Sequence, residues 1–366
     1  MRKTQEAKKQ APMYDRQCLR LGKEVVEAHL QKGTPHVIRM KIPHERTIIF
    51  TDDIRGEVRF QGHTIDDQIL LKSDGFPTYH LAHVVDDHLM ECDIVIRGEE
   101  WLSSLPKHLL LFEWFNWKPP RYAHVPLLLG KDRKKLSKRD GDVAVQEYIE
   151  KGYLPEAMVN FLTLLGWNPG TTQEIFSMDE LITQFSMDRV QKAGAIFDVE
   201  KLDWLQGQWI RRLSAEDFAA RILPFVAARF PAAAKDKAFA AKAMMIQSRV
   251  TLLSEAADML AFVYEETLPT MELLANPKQK IVPEEVPQLL KELEGMLTHV
   301  DAKQWTTEEL KTIFEKTDEV GRRKLLWILR AALTGKPFSP GAFEVAAMLG
   351  KEASLKRISL VLNATS

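Results

Sequence analysis

The strand signal of this chain stops near Val143, and that switch limits the fold more than any other feature. Before it, short apolar runs alternate with turn residues. TIIF (Thr47 to Phe50) and EVRF (Glu57 to Phe60) flank the turn-prone DDIRG and read as two strands. QILLK (Gln68 to Lys72) and DIVIRG (Asp93 to Gly98) are two more strand candidates, with a helix-like stretch from Tyr79 to Met90 between them. Strand, helix and strand in that order predict a βαβ unit with a parallel sheet. Residues up to about His29 read as helix. Beyond Val143 the strand signal fades and the last 150 or so residues read as all-α: Ile246, Val250, Leu253, Ala257, Leu260 and Tyr264 predict one helix over Met244 to Tyr264. Thr306 with Glu309 predicts a capping box. Phe343 to Leu349 is a short apolar helix, and the alanine-rich stretch from Pro231 to Ala243 reads as helix rather than linker. The expected fold class is therefore α/β plus all-α.

Composition narrows the class. A length of 366 residues suggests two or three domains at about 150 residues each. Hydrophobic residues at 45% and charged residues at 28% make an ordinary globular balance, which excludes wholesale disorder. No run of about 18 apolar residues occurs, so no membrane span and no membrane partner are expected. The basic start has no apolar stretch behind it, so a secretory signal is not expected and the compartment reads as cytoplasmic. Cys18 and Cys92 lie far apart, which argues against a zinc knuckle or a disulfide framework. The net charge of -1 leaves room for nucleic-acid binding only through local basic faces. Two such clusters stand out: Lys131 to Arg139 (KDRKKLSKR), and Arg322, Arg323, Lys324, Arg330 and Lys336.

Three segments carry possible chemistry. KLSKR, Lys135 to Arg139, sets lysines around a small serine after the apolar run PLLLG. Lysine is a compact point charge suited to phosphate oxygens, so the loop could hold the β- and γ-phosphates of a nucleotide; it could equally be a solvated basic loop. SDGFPTYHLAHVVDDHLM (Ser73 to Met90) opens on a turn and continues as helix. Its Asp86 and Asp87 read as capping or paired acids, and the cluster lacks the closed pattern of a metal site. IRGEEWL (Ile96 to Leu102) puts Arg97 at the carboxyl end of a strand, where open α/β sheets bind ligands. Its planar fork suits a carboxylate or phosphate, unless Glu99 or Glu100 pairs with it instead.

The order of these segments resembles a family. SDGFPTYHLAHVVDDH, VIRGEEWLSSLPKHLLLFEWFNW, PLLLGKDRKKLSKRDG and GYLPEAMVNFLTLLGWNPG together resemble bacterial-type glutamyl-tRNA synthetases. MYDRQCLRL with FTDDIRG resembles the family's acceptor-binding insertion. The long run from Gln173 to Leu213 resembles its stem-contact segment, and Leu325 to Ile358 its anticodon-binding part. The resemblance implies a class I aminoacyl-tRNA synthetase built in four parts. Residues 1–70 would be the acceptor-binding insertion and 71–130 the second half of the nucleotide-binding fold. Residues 131–210 would be the KMSKS-type loop with the stem-contact domain, and 211–366 the helical anticodon-binding domain.

The implied reaction makes glutamyl-adenylate from glutamate, ATP and Mg2+, then transfers glutamate to tRNA(Glu), with tRNA(Gln) as a second candidate. Lys135, Leu136, Ser137, Lys138 and Arg139 match the KMSKS-type motif, with Lys138 as the main phosphate contact and Lys135 as its partner. Glu100 and Leu128 match positions lining the ATP pocket, with Trp101 in its wall. Tyr79, Arg97 and His83 match glutamate contacts, although an amide is more usual at the third position. Arg322 and Arg323 are candidate phosphate contacts for tRNA. A monomer without zinc is implied. The family also carries an N-terminal half with a HIGH-type motif, and neither HVIR (His36 to Arg39) nor HTID (His63 to Asp66) is one. The resemblance thus implies that this chain is a truncated form, one half of a split enzyme, or a remnant that binds tRNA without catalysis.

Overall fold

The computed structural model describes residues 5, 7, 9, 12–136 and 144–365. The chain divides into two compact units: Met1–Asp140 with Leu162–Asp198, and Gly141–Phe161 with Val199–Ser366.

The first unit opens with a 3-10 turn, Gln17–Arg20, and helix α1, Lys23–Gln31. The single helix expected up to His29 is interrupted: residues 12–16 are not helical, while the described Gln5 and Ala7 are. The cause is a clamp: Arg16 takes a left-handed conformation (φ 57°), and its Nε and Nη2 each donate to the buried Asp67 at 2.7 Å. Asp67 also accepts from Ile42 N–H at 2.9 Å. That tie holds the entering segment on the sheet region and stops the helix from extending upstream.

Four strands follow: β1 (Ile38–Arg39), β2 (Thr47–Asp52), β3 (Gly56–Gln61) and β4 (Ile69–Leu71). The expected hairpin is present, with β2 and β3 antiparallel and Phe50 opposite Val58. Next come helix α2 (Tyr79–Leu89), strand β5 (Ile94–Gly98), helix α3 (Leu105–Trp114) and strand β6 (Arg121–Val125). The expected βαβ unit sits one element further along. Strand β4 pairs antiparallel with β1, while β5 pairs in parallel with β6 across α3. In β6 the residues Tyr122, Ala123 and His124 are all buried. A strand covered on both faces shows no alternation, and its polar letters RYAHV hide it from a hydrophobicity reading. Strand β7 (Leu128–Leu129) later pairs in parallel with a two-residue strand, β8 (Ala195–Ile196). A core of Met40, Ile42, Ile48, Val84, Leu111 and Phe112 lies beneath these elements.

The second unit is helical, as its sequence predicts. LQGQW lies within the helix Val199–Arg212, where buried Gln206 accepts from Leu154 N–H at 2.9 Å and donates to Gly152 O at 3.1 Å. The helix expected over Met244 to Tyr264 is broken. Phe239–Met244 and Ala256–Tyr264 are helices, and between them the Glu255 carboxylate accepts from Thr251 and Leu252 N–H at 2.9 and 3.2 Å. That cap restarts the helix, while Ile246, Val250, Leu253 and Leu260 still reach the core. The alanine-rich stretch forms a 3-10 turn, Pro231–Lys235, before the first of those helices. Thr306 caps Thr307–Phe314 by accepting from Glu309 N–H at 3.3 Å.

The last helical stretch, Ala342–Thr365, breaks at Gly350, whose φ of 80° and ψ of 167° are open only to glycine at low cost. An added Cβ there would meet no atom within 4 Å, so any penalty comes from the backbone alone. Gly350→Ala should therefore cost about 1–3 kcal/mol in denaturant unfolding of the helical unit. An unchanged midpoint would contradict this backbone account.

Candidate active site

Arg97 lies at the carboxyl end of β5, with His124 of β6 as its cross-strand partner in the parallel register. Its Nε donates to His124 Nε2 at 3.1 Å. Its Nη1 lies 3.3 Å from His83 Nε2, and its Nη2 lies 3.4 Å from His108 Nδ1. α2 brings His83 and α3 brings His108. The guanidinium thus faces three imidazoles, and among the described residues no carboxylate pairs with it.

The acids expected as its alternative partners are committed elsewhere. Glu99 pairs with Arg55 at 2.7 Å and accepts from Leu127 N–H at 3.3 Å. Glu100 accepts from Lys135 Nζ at 3.0 Å, and that bond holds the Glu100 carboxyl below its usual range. Gly98 makes this fold-back possible, since a Cβ there would sit 2.0 Å from the Glu100 carboxylate. Asp87 lies 3.3 Å from His83 Nδ1.

Aromatic rings wall the site. Tyr79 stands 4.6 Å from Trp101 and stacks on His83 at 5.2 Å, centroid to centroid. Arg97 lies over Tyr122 at 5.4 Å and over Trp101 at 5.9 Å. Tyr79, His83, Arg97 and Trp101, singled out from sequence, therefore come together. Sequence reasoning missed His108, His124 and Asp52. Only the register of β5 on β6 and the crossover of α3 could have pointed to them.

Burial and the fixed charge of Arg97 keep the imidazoles neutral. His80, whose Nδ1 is 3.0 Å from His108 Nε2, is pushed down to about 4, and His108 to about 2, chiefly by burial. Burial also lowers His83, with Asp87 opposing, and lowers His124, with Asp52 opposing. At Asp52 burial pushes the carboxyl up, but hydrogen bonds from His124 and from the Arg55 and Ile54 backbone outweigh it and hold it low.

The KLSKR loop is described in part. Leu136 N–H donates to Leu128 O at 2.9 Å, and Lys135 bridges to Leu129, so the basic loop is anchored on β7. Ser137, Lys138 and Arg139 lie outside the described residues. Among the described residues no group of three or more His, Cys, Asp or Glu side chains is arranged to hold a metal, and no helix is long and apolar enough to cross a membrane.

In the helical unit the second basic cluster divides. Lys324 is tied to Glu285 at 2.7 Å, and Lys336 donates to the Asp258 carbonyl. Arg330 donates to Pro337 O at 2.9 Å and lies 4.6 Å over the Trp327 ring, and burial lowers it. Only Arg322 and Arg323 of the five remain outside such ties, apart from a long Arg323–Glu319 contact of 3.5 Å. Arg323, Trp327, Arg330 and Phe343 border a groove of about 380 Å³.

The depressed imidazoles fix the sign of a pH effect. In the unfolded chain they titrate near 6.5, while His80 stays neutral in the fold down to about 4. Between those values the unfolded state binds more protons, so stability falls as the solution is acidified. The thermal midpoint of the chain should drop by several degrees from pH 7 to pH 5, and by less in His80→Gln. An identical drop in both would count against this reading.

Comparison with known proteins gives the family. The profile of class I tRNA synthetases (E and Q), catalytic domain, matches residues 1–204, and that of an anticodon binding domain matches residues 217–362. The chain is 42% identical to the glutamate–tRNA ligase of Chlorobium phaeobacteroides over 95% of its own length and 72% of that protein's. It is 41% identical to the glutamate–tRNA ligase of Clostridium tetani, over 98% and 74%. The crystal structure of a glutamate tRNA ligase from Elizabethkingia meningosepticum, in complex with its amino acid, superposes with a TM-score of 0.86 at 31% identity. That match covers 100% of this chain and 77% of the other. With a class I catalytic domain, an anticodon-binding domain and relatives of this closeness, the chain belongs to the glutamate–tRNA ligase family of aminoacyl-tRNA synthetases.

Proposed function

We propose that this chain works in the ATP-dependent attachment of glutamate to tRNA(Glu). The observation that carries the reading is Arg97, a permanent cation at a strand end that no carboxylate pairs with among the described residues. A glutamate carboxylate would complete it, beside Tyr79 and His83. Glu100, Leu128, Lys135 and Lys138 would then line the ATP side. A glutamate carboxylate oxygen attacks the α-phosphorus, the bond to the β-phosphate oxygen breaks, and pyrophosphate leaves with the electron pair. A terminal ribose hydroxyl of the tRNA next attacks the acyl carbon and releases AMP. Lys135 and Lys138 act where charge builds on the leaving phosphates. Magnesium usually enters on nucleotide phosphates with few protein ligands, which fits a chain without a preformed carboxylate cage among its described residues.

On the same reading, residues 1–70 serve as acceptor-binding insertion, 71–130 as half of the catalytic fold, 131–210 as loop and stem-contact part, and 211–366 as anticodon-binding domain. The groove at Trp327 and Arg330 suits a splayed base, which stacks on rings and guanidinium planes. Arg322 and Arg323 would meet phosphates. Discrimination between tRNA(Glu) and tRNA(Gln) would lie among these contacts. A second reading is a tRNA-binding chain without its own catalysis or half of a split synthetase; the chain spans 72% and 74% of the length of the two ligases it matches.

ATP–pyrophosphate exchange with glutamate, magnesium and tRNA separates the two readings, run on the chain alone and with a HIGH-bearing N-terminal half added. Exchange by the chain alone supports the first reading, and exchange only with the added half supports half of a split synthetase. Lys138→Ala should then lower it about 100-fold or more while tRNA affinity changes little. No exchange in both, with tRNA bound, supports a tRNA-binding chain without catalysis. For RNA contact, Arg322→Ala with Arg323→Ala should reduce the slope of log affinity against log salt by about 1–2. An unchanged slope would remove these arginines from the interface.

A further inference from the structure

We propose that Asp52 and His124 are positioning residues for Arg97, forming a one-way hydrogen-bond relay that fixes how the guanidinium meets a substrate carboxylate. The inference rests on the reading that Arg97 binds glutamate.

The relay starts from a carboxylate with no freedom. Asp52 closes β2 and is 1% exposed; His124 is fully buried. Asp52 Oδ1 accepts three backbone N–H groups, from Ile54 at 3.0 Å, Arg55 at 2.9 Å and His124 at 3.2 Å. Its Oδ2 faces His124 Nδ1 at 2.6 Å. An ionised carboxylate only accepts, so His124 Nδ1 must carry the proton. In a neutral imidazole Nε2 is then a bare acceptor. It faces Arg97 Nε, which always carries hydrogen. Protons therefore point one way, from Arg97 to His124 to Asp52.

The other two imidazoles follow the same logic. His83 offers Nδ1 to Asp87, which leaves Nε2 to accept from Arg97. His108 accepts from Arg97 through Nδ1, so its Nε2–H turns to His80. A guanidinium has five N–H bonds. Three are used by this cage. One on each terminal nitrogen remains, the number a carboxylate takes in a two-point pair. His124 is the anchor of the three, because it alone holds Nε, and it is held in turn by a buried carboxylate that the β2–β3 corner cannot release without losing three backbone bonds.

A merely structural Asp52 would stabilise the hairpin corner without governing Arg97. Histidine-labelled long-range 1H–15N spectra at pH 7.5 read the tautomer directly in the 366-residue chain. The expected result is His124 protonated at Nδ1 only, with a slowly exchanging Arg97 Nε–H. His124 protonated at Nε2, or at both nitrogens, would overturn the relay. L-glutamate binding by calorimetry supplies the second readout. His124→Leu should raise the Kd for glutamate about 10–100-fold and speed exchange of Arg97 Nε–H, and His124→Gln, which restores an acceptor, should recover most of both. Binding that is unchanged in a folded His124→Leu would also overturn the proposal. If the unaltered chain binds no glutamate even with a HIGH-bearing N-terminal half added, the functional reading fails by itself, and the tautomer spectra still decide the relay.

Discussion

Arg97 is a charge that cannot be discharged, set among groups that cannot neutralise it. A guanidinium stays protonated at any pH the protein meets, so its surroundings must adapt to it. They do so in two ways. Each acid nearby is diverted: Glu99 to Arg55, Glu100 to Lys135, Asp87 to His83 and Asp52 to His124. Each base nearby is kept neutral, by burial and by the repulsion of Arg97 itself. The result is a cation that is hydrogen-bonded but not charge-balanced. On the proposed reading, a bound carboxylate would bring an opposite charge to a site whose donors are already in place, which would limit the reorganisation that binding requires.

The fold supplies this arrangement from four elements at once. The parallel pairing of β5 with β6 sets Arg97 opposite His124. The β2–β3 hairpin carries Asp52 to the back of that pair, α3 adds His108 on the crossover, and α2 adds His83 one turn from Tyr79. A disturbance in any of the four moves Arg97, because the cage has no redundant acceptor for Nε. That dependence explains why an acidic hairpin corner, DDIRG, belongs to the site although its sequence reads as an ordinary turn.

Much of this was legible from the residues, and the exceptions have physical causes. The hairpin, the strand ending in Arg97, the helix carrying Tyr79 and His83, and the all-helical remainder follow from periodicity and turn chemistry. The parallel pair does not, because RYAHV is buried on both faces and shows no period. The partners of Arg97 do not, because Asp52 and His124 lie 72 residues apart in the chain and meet only in the folded structure, where β2 packs beside β6. The basic cluster around Arg322 misleads for a related reason. Sequence counts charges but not the partners that consume them, and Lys324, Arg330 and Lys336 are used inside the fold.

The choice of imidazoles as acceptors has its own consequence. An amide side chain at position 83 would offer one acceptor and two donors, and a half-turn of the amide would exchange them. A donor turned toward the guanidinium would repel it; a donor turned toward the ligand would compete with Arg97 for the carboxylate. An imidazole with Nδ1 committed to Asp87 has one bare nitrogen and cannot exchange roles without breaking that bond. The same holds for His124 against Asp52, where the bond is shorter and fully buried. Locked tautomers therefore do for Arg97 what an amide cannot: they present acceptors only, in one orientation, and leave every remaining donor to the substrate. The cost is sensitivity to acid, since an imidazole that gains a proton turns from acceptor to cation beside a cation, and burial is what keeps that event away from neutral pH.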